Sequence, residues 1–92
     1  MNKLGDIIYI DDDVEDCEVF AEVYETIRKE LDIPNNLRVF HHAIDYLEYI
    51  KLTTDEPALI LCDINMPKIT GIDLRKVILE DVKQNVTPFI LY

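Results

Sequence analysis

The chain lacks tryptophan, has only two glycines and two cysteines, and sets 9 basic residues against 19 acidic ones, a formal charge of −10 at pH 7. So few Lys and Arg leave no positive footprint for a phosphate backbone, so no nucleic-acid partner is expected and cations are the natural guests. No apolar run approaches the roughly 20 residues that span a bilayer. The start, MNKLGDIIYI, has neither a long apolar stretch nor a small-residue cleavage site. No membrane partner and a cytoplasmic location are therefore expected. Cys17 and Cys62 have no paired spacing, and Cys62 lies inside an apolar run. They read as reduced packing residues rather than a disulfide or a metal clip. With no Gly- or Ser-rich linker, repeat or low-complexity segment, residues 1–92 read as one domain.

What is present is 49% apolar content, enough for one modest core. Runs rich in branched and aromatic residues occur at 6–10 (DIIYI), 37–40 (LRVF), 58–62 (ALILC) and 88–92 (PFILY), and each predicts a strand. Between them the period becomes helical. Cys17, Phe20, Ala21, Tyr24, Ile27 and Leu31 predict a helix over 14–31, with Asp13 as its cap and Pro34 soon after its end. Ile44, Leu47 and Ile50 predict a second helix at about 43–52. Leu74, Val77 and Ile78 predict a third at about 71–82. IIYI and ALILC are apolar on both faces, as strands of a parallel sheet covered by helices are. The expected architecture is an α/β sandwich of order βαβαβαβ.

In such a sheet ligands bind beyond the carboxyl ends of the strands, where the strand order reverses. Asp11 and Asp12 follow the first strand, and Asp63 follows the third. Were those strands neighbours, three carboxylates would share one crevice. Each like-charged pair at about 4 Å and an effective dielectric near 20 costs on the order of 4 kcal/mol, so a proton or a divalent cation is needed there. Mg²⁺ fits best, since it takes one or two carboxylates and keeps waters or phosphate oxygens in its remaining positions. The plainer alternative, a solvated helix start favoured by capping and the helix dipole, suits Asp13. For Asp11 and Asp12 the second acidic position after another parallel strand weighs against it.

The segment LILCDINMPKITG, residues 59–71, places Asp63 at a strand end, Pro67 four residues on and Gly71 before the next helix. Together with YIDDD it resembles the receiver domain of bacterial response regulators, the CheY-like family. Its phosphoacceptor segment reads as apolar strand, Asp, two residues, Met-Pro, then a Gly before the third helix. The resemblance implies a flavodoxin-like, doubly wound parallel sheet. It implies that Asp63 is the acceptor that becomes an aspartyl phosphate, that Asp12 binds Mg²⁺ directly, and that Asp11 acts mainly through water. Asn65 would lend its backbone carbonyl to the metal, and its side chain would affect how long the phosphoryl group lasts. The partner would be a sensor histidine kinase or phosphotransfer protein. The protein would be a signalling module rather than an enzyme, with self-phosphorylation and self-dephosphorylation at most.

The family pattern continues past VTPFILY with a Ser or Thr, a fourth helix, a fifth strand ending in Lys and a fifth helix. The resemblance therefore implies a receiver truncated after the fourth strand, of about four strands and three helices, with phosphorylation impaired. Lys68, in the loop after Asp63, and Lys76, on the third helix, do not replace that Lys. An apolar fourth-strand edge and a helix face without a neighbour predict self-association. Two other readings remain: a non-phosphorylating interaction or assembly unit that keeps only the metal crevice, and a haloacid-dehalogenase-like phosphatase using Asp11 and Asp13 as a D-x-D pair. In the latter Glu15 stands where Thr or Val is usual, and DINMP has no role. His41 and His42 read as loop or helix-start residues, and Tyr24, Tyr46 and Tyr49 as boundary packing. The acids Glu15, Asp16, Glu18, Glu22 and Glu25 read as a solvated outer face of the first helix.

Overall fold

A computed structural model of the chain describes residues 5–64, 66, 70–80 and 87–92. The elements run β1 (Ile7–Ile10), α1 (Val14–Leu31), β2 (Leu37–Phe40), α2 (Ala43–Leu52), β3 (Leu59–Cys62), α3 (Gly71–Glu80) and β4 (Phe89–Leu91). The strands form one parallel sheet in the order β2-β1-β3-β4. Ile10 lies level with Phe40 on one side and Cys62 on the other, and Cys62 with Leu91. This is the flavodoxin-like arrangement expected from the sequence, with the reversal of strand order between β1 and β3.

Alternation along β1 separates the two faces. Ile8 and Ile10 join Ile60 and Cys62 of β3 under α2 and α3, in a core with Ala43, Tyr46, Ile50, Met66, Leu74 and Ile78. Tyr9 points the other way and stacks on Phe20 of α1, ring centroids 4.1 Å apart. The N-terminus of α1 is capped by Asp13, whose Oδ1 accepts the Asp16 N–H at 3.1 Å. The helix ends at Asp32, which adopts a left-handed φ of 56° and donates its N–H to Arg28 O, with Pro34 two residues later.

Several expectations need correction. Tyr46, expected at the boundary, is wholly buried and is the largest of the fully buried side chains. Its bulk sets the facing of α2, so Ala43, Tyr46 and Ile50 turn inward and Ile44, expected inside, stands 49% exposed. On α3 the buried pair is Leu74 and Ile78, four residues apart, and Val77 is left on the flank. Ile27 and Leu31 of α1 are exposed for a reason of length. An 18-residue helix runs about 27 Å, whereas four-residue strands span about 13 Å, so the end of α1 overhangs the sheet. Residues 81 and 82 of the expected third helix lie outside the described residues. No helix among the described residues is long and apolar enough to cross a membrane.

Candidate cation and phosphoacceptor site

The parallel ladder continues one residue past each strand, and this positions the site. Asp11 N–H donates to Phe40 O at 3.1 Å, Asp63 N–H to Ile10 O at 2.9 Å, and Tyr92 N–H to Cys62 O at 3.1 Å. Asp11, Asp63 and Tyr92 are thereby held side by side at the carboxyl edge of the sheet. Asp12 follows where the chain turns towards α1. One carboxylate oxygen from each of Asp11, Asp12 and Asp63 lies within 4.8 Å of the others, with Asp11 buried and the other two half-buried. The structure thus brings together the three carboxylates that the sequence placed after separate strands.

Their surroundings are unequal. Asp11 is 1% exposed. Its Oδ1 accepts the Asp13 N–H at 3.0 Å, and its Oδ2 accepts the hydroxyls of Tyr9 at 3.2 Å and Tyr92 at 2.7 Å. The ion pairs among the described residues join Arg28 to Glu25 and Arg38 to Asp6, and neither reaches Asp11 or Asp12. The negative charge spreads to its neighbours. Burial first, then the nearby Asp11 carboxylate, push the Cys17 thiol up to about 11. Burial, then Asp63, push Cys62 up to about 12. Burial and contacts within the tyrosine–Asp11 group hold the Tyr92 phenol above its usual range, and burial raises Tyr9. The Asp13 carboxylate above all, then burial, raises the Asp16 carboxyl.

Asn65, expected to lend its carbonyl, lies outside the described residues, as do Pro67 and Lys68. The loop after Asp63 is anchored by Met66, 6% exposed and part of the core. It enters α3 through Thr70, whose Oγ1 accepts the Asp73 N–H at 3.2 Å. Lys76 is exposed on α3. His41 and His42 stay out of the carboxylate cluster. His41 Nδ1 lies 3.5 Å from Cys17 Sγ, and His42 stands before α2 without a side-chain capping bond. Sequence reasoning missed Tyr9 and Tyr92. For Tyr9 a signal existed, since residues two apart on a strand share a face and Tyr9 and Asp11 are such a pair. For Tyr92 none did, because its approach depends on the β4 register.

An oxygen-only set of three converging carboxylates suits a small hard cation, and Mg²⁺ above all. Asp12 and Asp63, half-exposed, could bind such an ion directly, while Asp11 is already engaged by three donors.

The fold is that of response regulator receiver domains. Among solved structures, the N-terminal domain of a response regulator receiver protein from Methanoculleus marisnigri is 22% identical with a TM-score of 0.76, over 96% of this chain and 65% of that one. The chemotaxis response regulator CheY4 of Vibrio cholerae is 16% identical with a TM-score of 0.76, over 96% and 67% respectively. The receiver domain of a signal transduction histidine kinase from Syntrophus aciditrophicus is 21% identical with a TM-score of 0.78, over 95% and 60%. The chain thus spans about two-thirds of the length of the structures it resembles. No family model and no curated protein matches the sequence.

Proposed function

We propose that this chain is a receiver module of two-component signalling, which takes a phosphoryl group from the phosphohistidine of a sensor kinase or phosphotransfer protein onto Asp63. The observation that carries this reading is the meeting of Asp11, Asp12 and Asp63 at the reversal of strand order in a receiver fold. An Asp63 carboxylate oxygen attacks phosphorus, the P–N bond breaks, and the imidazole leaves with its electron pair. Transfer through a loose transition state needs alignment and charge neutralisation more than covalent help. Bound Mg²⁺ would supply that neutralisation between carboxylate and phosphoryl oxygens. Asp12 and Asp63 would hold it directly, Asp11 through water, and Asn65 through its backbone carbonyl. Hydrogen bonds on both oxygens keep Asp11 fixed while Asp63 reacts.

Intact-mass measurement after treatment with acetyl phosphate and Mg²⁺ tests the assignment. One added phosphoryl group on the wild type and none on Asp63→Asn is expected. An unlabelled wild type would favour the non-phosphorylating assembly unit, and a label persisting on Asp63→Asn would move the acceptor elsewhere. The phosphatase alternative has less support, because Asp13, the second acid of its D-x-D pair, caps α1 with its carboxylate.

The partner reading includes a second copy of this chain. β4 is an outer strand of the sheet, and Ile90 on it is 49% exposed. An outer strand pairs readily through its backbone groups with its own equivalent about a two-fold axis, and an exposed apolar side chain on the adjoining face adds contact area. Sedimentation velocity across the micromolar range is expected to show a monomer–dimer equilibrium that Ile90→Lys shifts to monomer. A clean wild-type monomer throughout that range would remove the second copy.

A further inference from the structure

Resting on the reading of the carboxyl-end crevice as a cation site, we propose that Tyr9 and Tyr92 set its preference for Mg²⁺ over Ca²⁺ by occupying the carboxylate of Asp11. A carboxylate offers about four lone-pair positions. Three on Asp11 are used: one on Oδ1 by the Asp13 N–H, and two on Oδ2 by the Tyr9 and Tyr92 hydroxyls. Oδ2 is full, so Asp11 can offer a cation one Oδ1 lone pair or a bridging water.

This limits what the crevice can bind. Ca²⁺ collects six to eight oxygens, often with carboxylates spanning it through both oxygens, whereas Mg²⁺ is satisfied by one or two carboxylates and holds its waters. A site in which Asp11 is withdrawn from direct coordination suits the ion that keeps its waters. The hydroxyls are pre-aimed by stacking. The Tyr92 ring lies 5.8 Å from Tyr9 at 15°, and Tyr9 lies 4.1 Å from Phe20 at 8°. The tyrosines are positioning residues that act on the ion through Asp11. Groups that orient metal ligands in this way change affinity by about 10- to 100-fold when removed.

A purely structural role would make the same hydrogen bonds, since a buried carboxylate needs donors. The two roles separate in the ratio of affinities. Removing one hydroxyl while keeping the ring frees an Oδ2 lone pair for the ion, which helps Ca²⁺ more than Mg²⁺. A structural loss weakens both ions equally or neither.

The test is calorimetric titration of the 92-residue chain with Mg²⁺ and with Ca²⁺ for the wild type, Tyr92→Phe, Tyr9→Phe, Tyr24→Phe and Asp12→Asn. Folding is followed by circular dichroism and binding also by tyrosine emission, which is unmasked in a chain without tryptophan. The Mg²⁺-to-Ca²⁺ affinity ratio is expected to fall about tenfold in Tyr92→Phe and in Tyr9→Phe. Tyr24→Phe should keep the wild-type ratio, since its hydroxyl donates to Asn35 O at 2.7 Å although its ring stacks on Phe20. Should Tyr92→Phe not fold, Tyr9→Phe decides alone. Wild-type Mg²⁺ binding that Asp12→Asn abolishes, with an unchanged ratio in the tyrosine variants, overturns the tyrosine proposal and leaves the cation site standing. A wild type that binds neither ion overturns both.

Discussion

The two ends of the sheet close in opposite ways. At the amino end the chain is sealed by hydrogen bonds between neutral groups. Ile7 N–H donates to Asn36 O at 2.8 Å, Ala58 N–H to Asp6 O at 2.9 Å, and Asn35 Nδ2 to Gly5 O at 2.7 Å. One acid at this end, Asp6, is paired with Arg38 at 3.2 Å. At the carboxyl end the same ladder runs out into three carboxylates, of which Asp11 and Asp12 meet no cationic side chain among the described residues. One end spends its contacts on close packing, and the other gathers carboxylates. A substitution at the first should lower stability and spare ion binding, whereas removing a charge at the second should weaken ion binding and, without the ion, raise stability.

The largest expected effect is at Gly5. A Cβ there would collide with the backbone carbonyl of Glu56 and come within 2.8 Å of Ala58 N. Backbone atoms already held by the ladder cannot yield cheaply, so Gly5→Ala is expected to lose about 3 kcal/mol. Urea denaturation with and without Mg²⁺ reads the loss, and the Mg²⁺ affinity of the folded fraction should match the wild type. Unaltered stability in Gly5→Ala would mean that the amino end is not the tight closure described above.

Asp12→Asn should act in the opposite sense and by less. Removing one of three crowded charges relieves repulsion that, gross, is about 4 kcal/mol per pair at 4 Å and an effective dielectric near 20. Asp12 is half-exposed, so the net gain in EDTA is expected to be about 1 kcal/mol. Saturating Mg²⁺ should invert the order, since an ion at 100 times its Kd stabilises the wild type by about 2.7 kcal/mol and the variant by little. Melting curves in EDTA and in Mg²⁺ that fail to cross would show that the carboxylates do not act as one ion-binding unit.

The same contrast explains how much could be read in advance. IIYI and LILC are apolar on both faces, DINMP follows a strand end, and Asp13 precedes a helical period. Each is a local pattern with one physical cause, and together they gave the element order, the β1–β3 neighbourhood and the three acids. Tyr46 and Tyr92 were not legible because a tyrosine fits a core, a boundary or a site equally well until the register of its neighbours is known. Tyr46 is decided by the seat between α2 and the sheet, and Tyr92 by the level at which β4 meets β3. Ile27 and Leu31 kept a correct helical period while leaving the core, because periodicity reports direction around a helix and not where the sheet beneath it stops.

The last expected effect, a change of slope with pH rather than a loss at one condition, uses the thiols of the charged end. Cys17 Sγ donates to Asp11 O at 3.3 Å, and Cys62 Sγ to Asp63 O at 3.4 Å. Burial first and the carboxylates second raise them to about 11 and about 12. Unfolded thiols ionise near 8.5, so above about pH 8.5 the unfolded chain binds fewer protons than the folded one. Their contribution is therefore fully present below that pH and is lost as pH rises towards 11 and 12. Each thiol adds at most about 1.4 kcal/mol per pH unit to the decline. Urea midpoints at successive pH values from 8 to about 10.5 should fall less steeply for the Cys17→Ala, Cys62→Ala double variant than for the wild type. Gly5→Ala, altered only at the neutral end, should lower the whole curve and keep the wild-type slope. Equal slopes in the wild type and the double variant would show that the carboxyl end does not hold its thiols protonated.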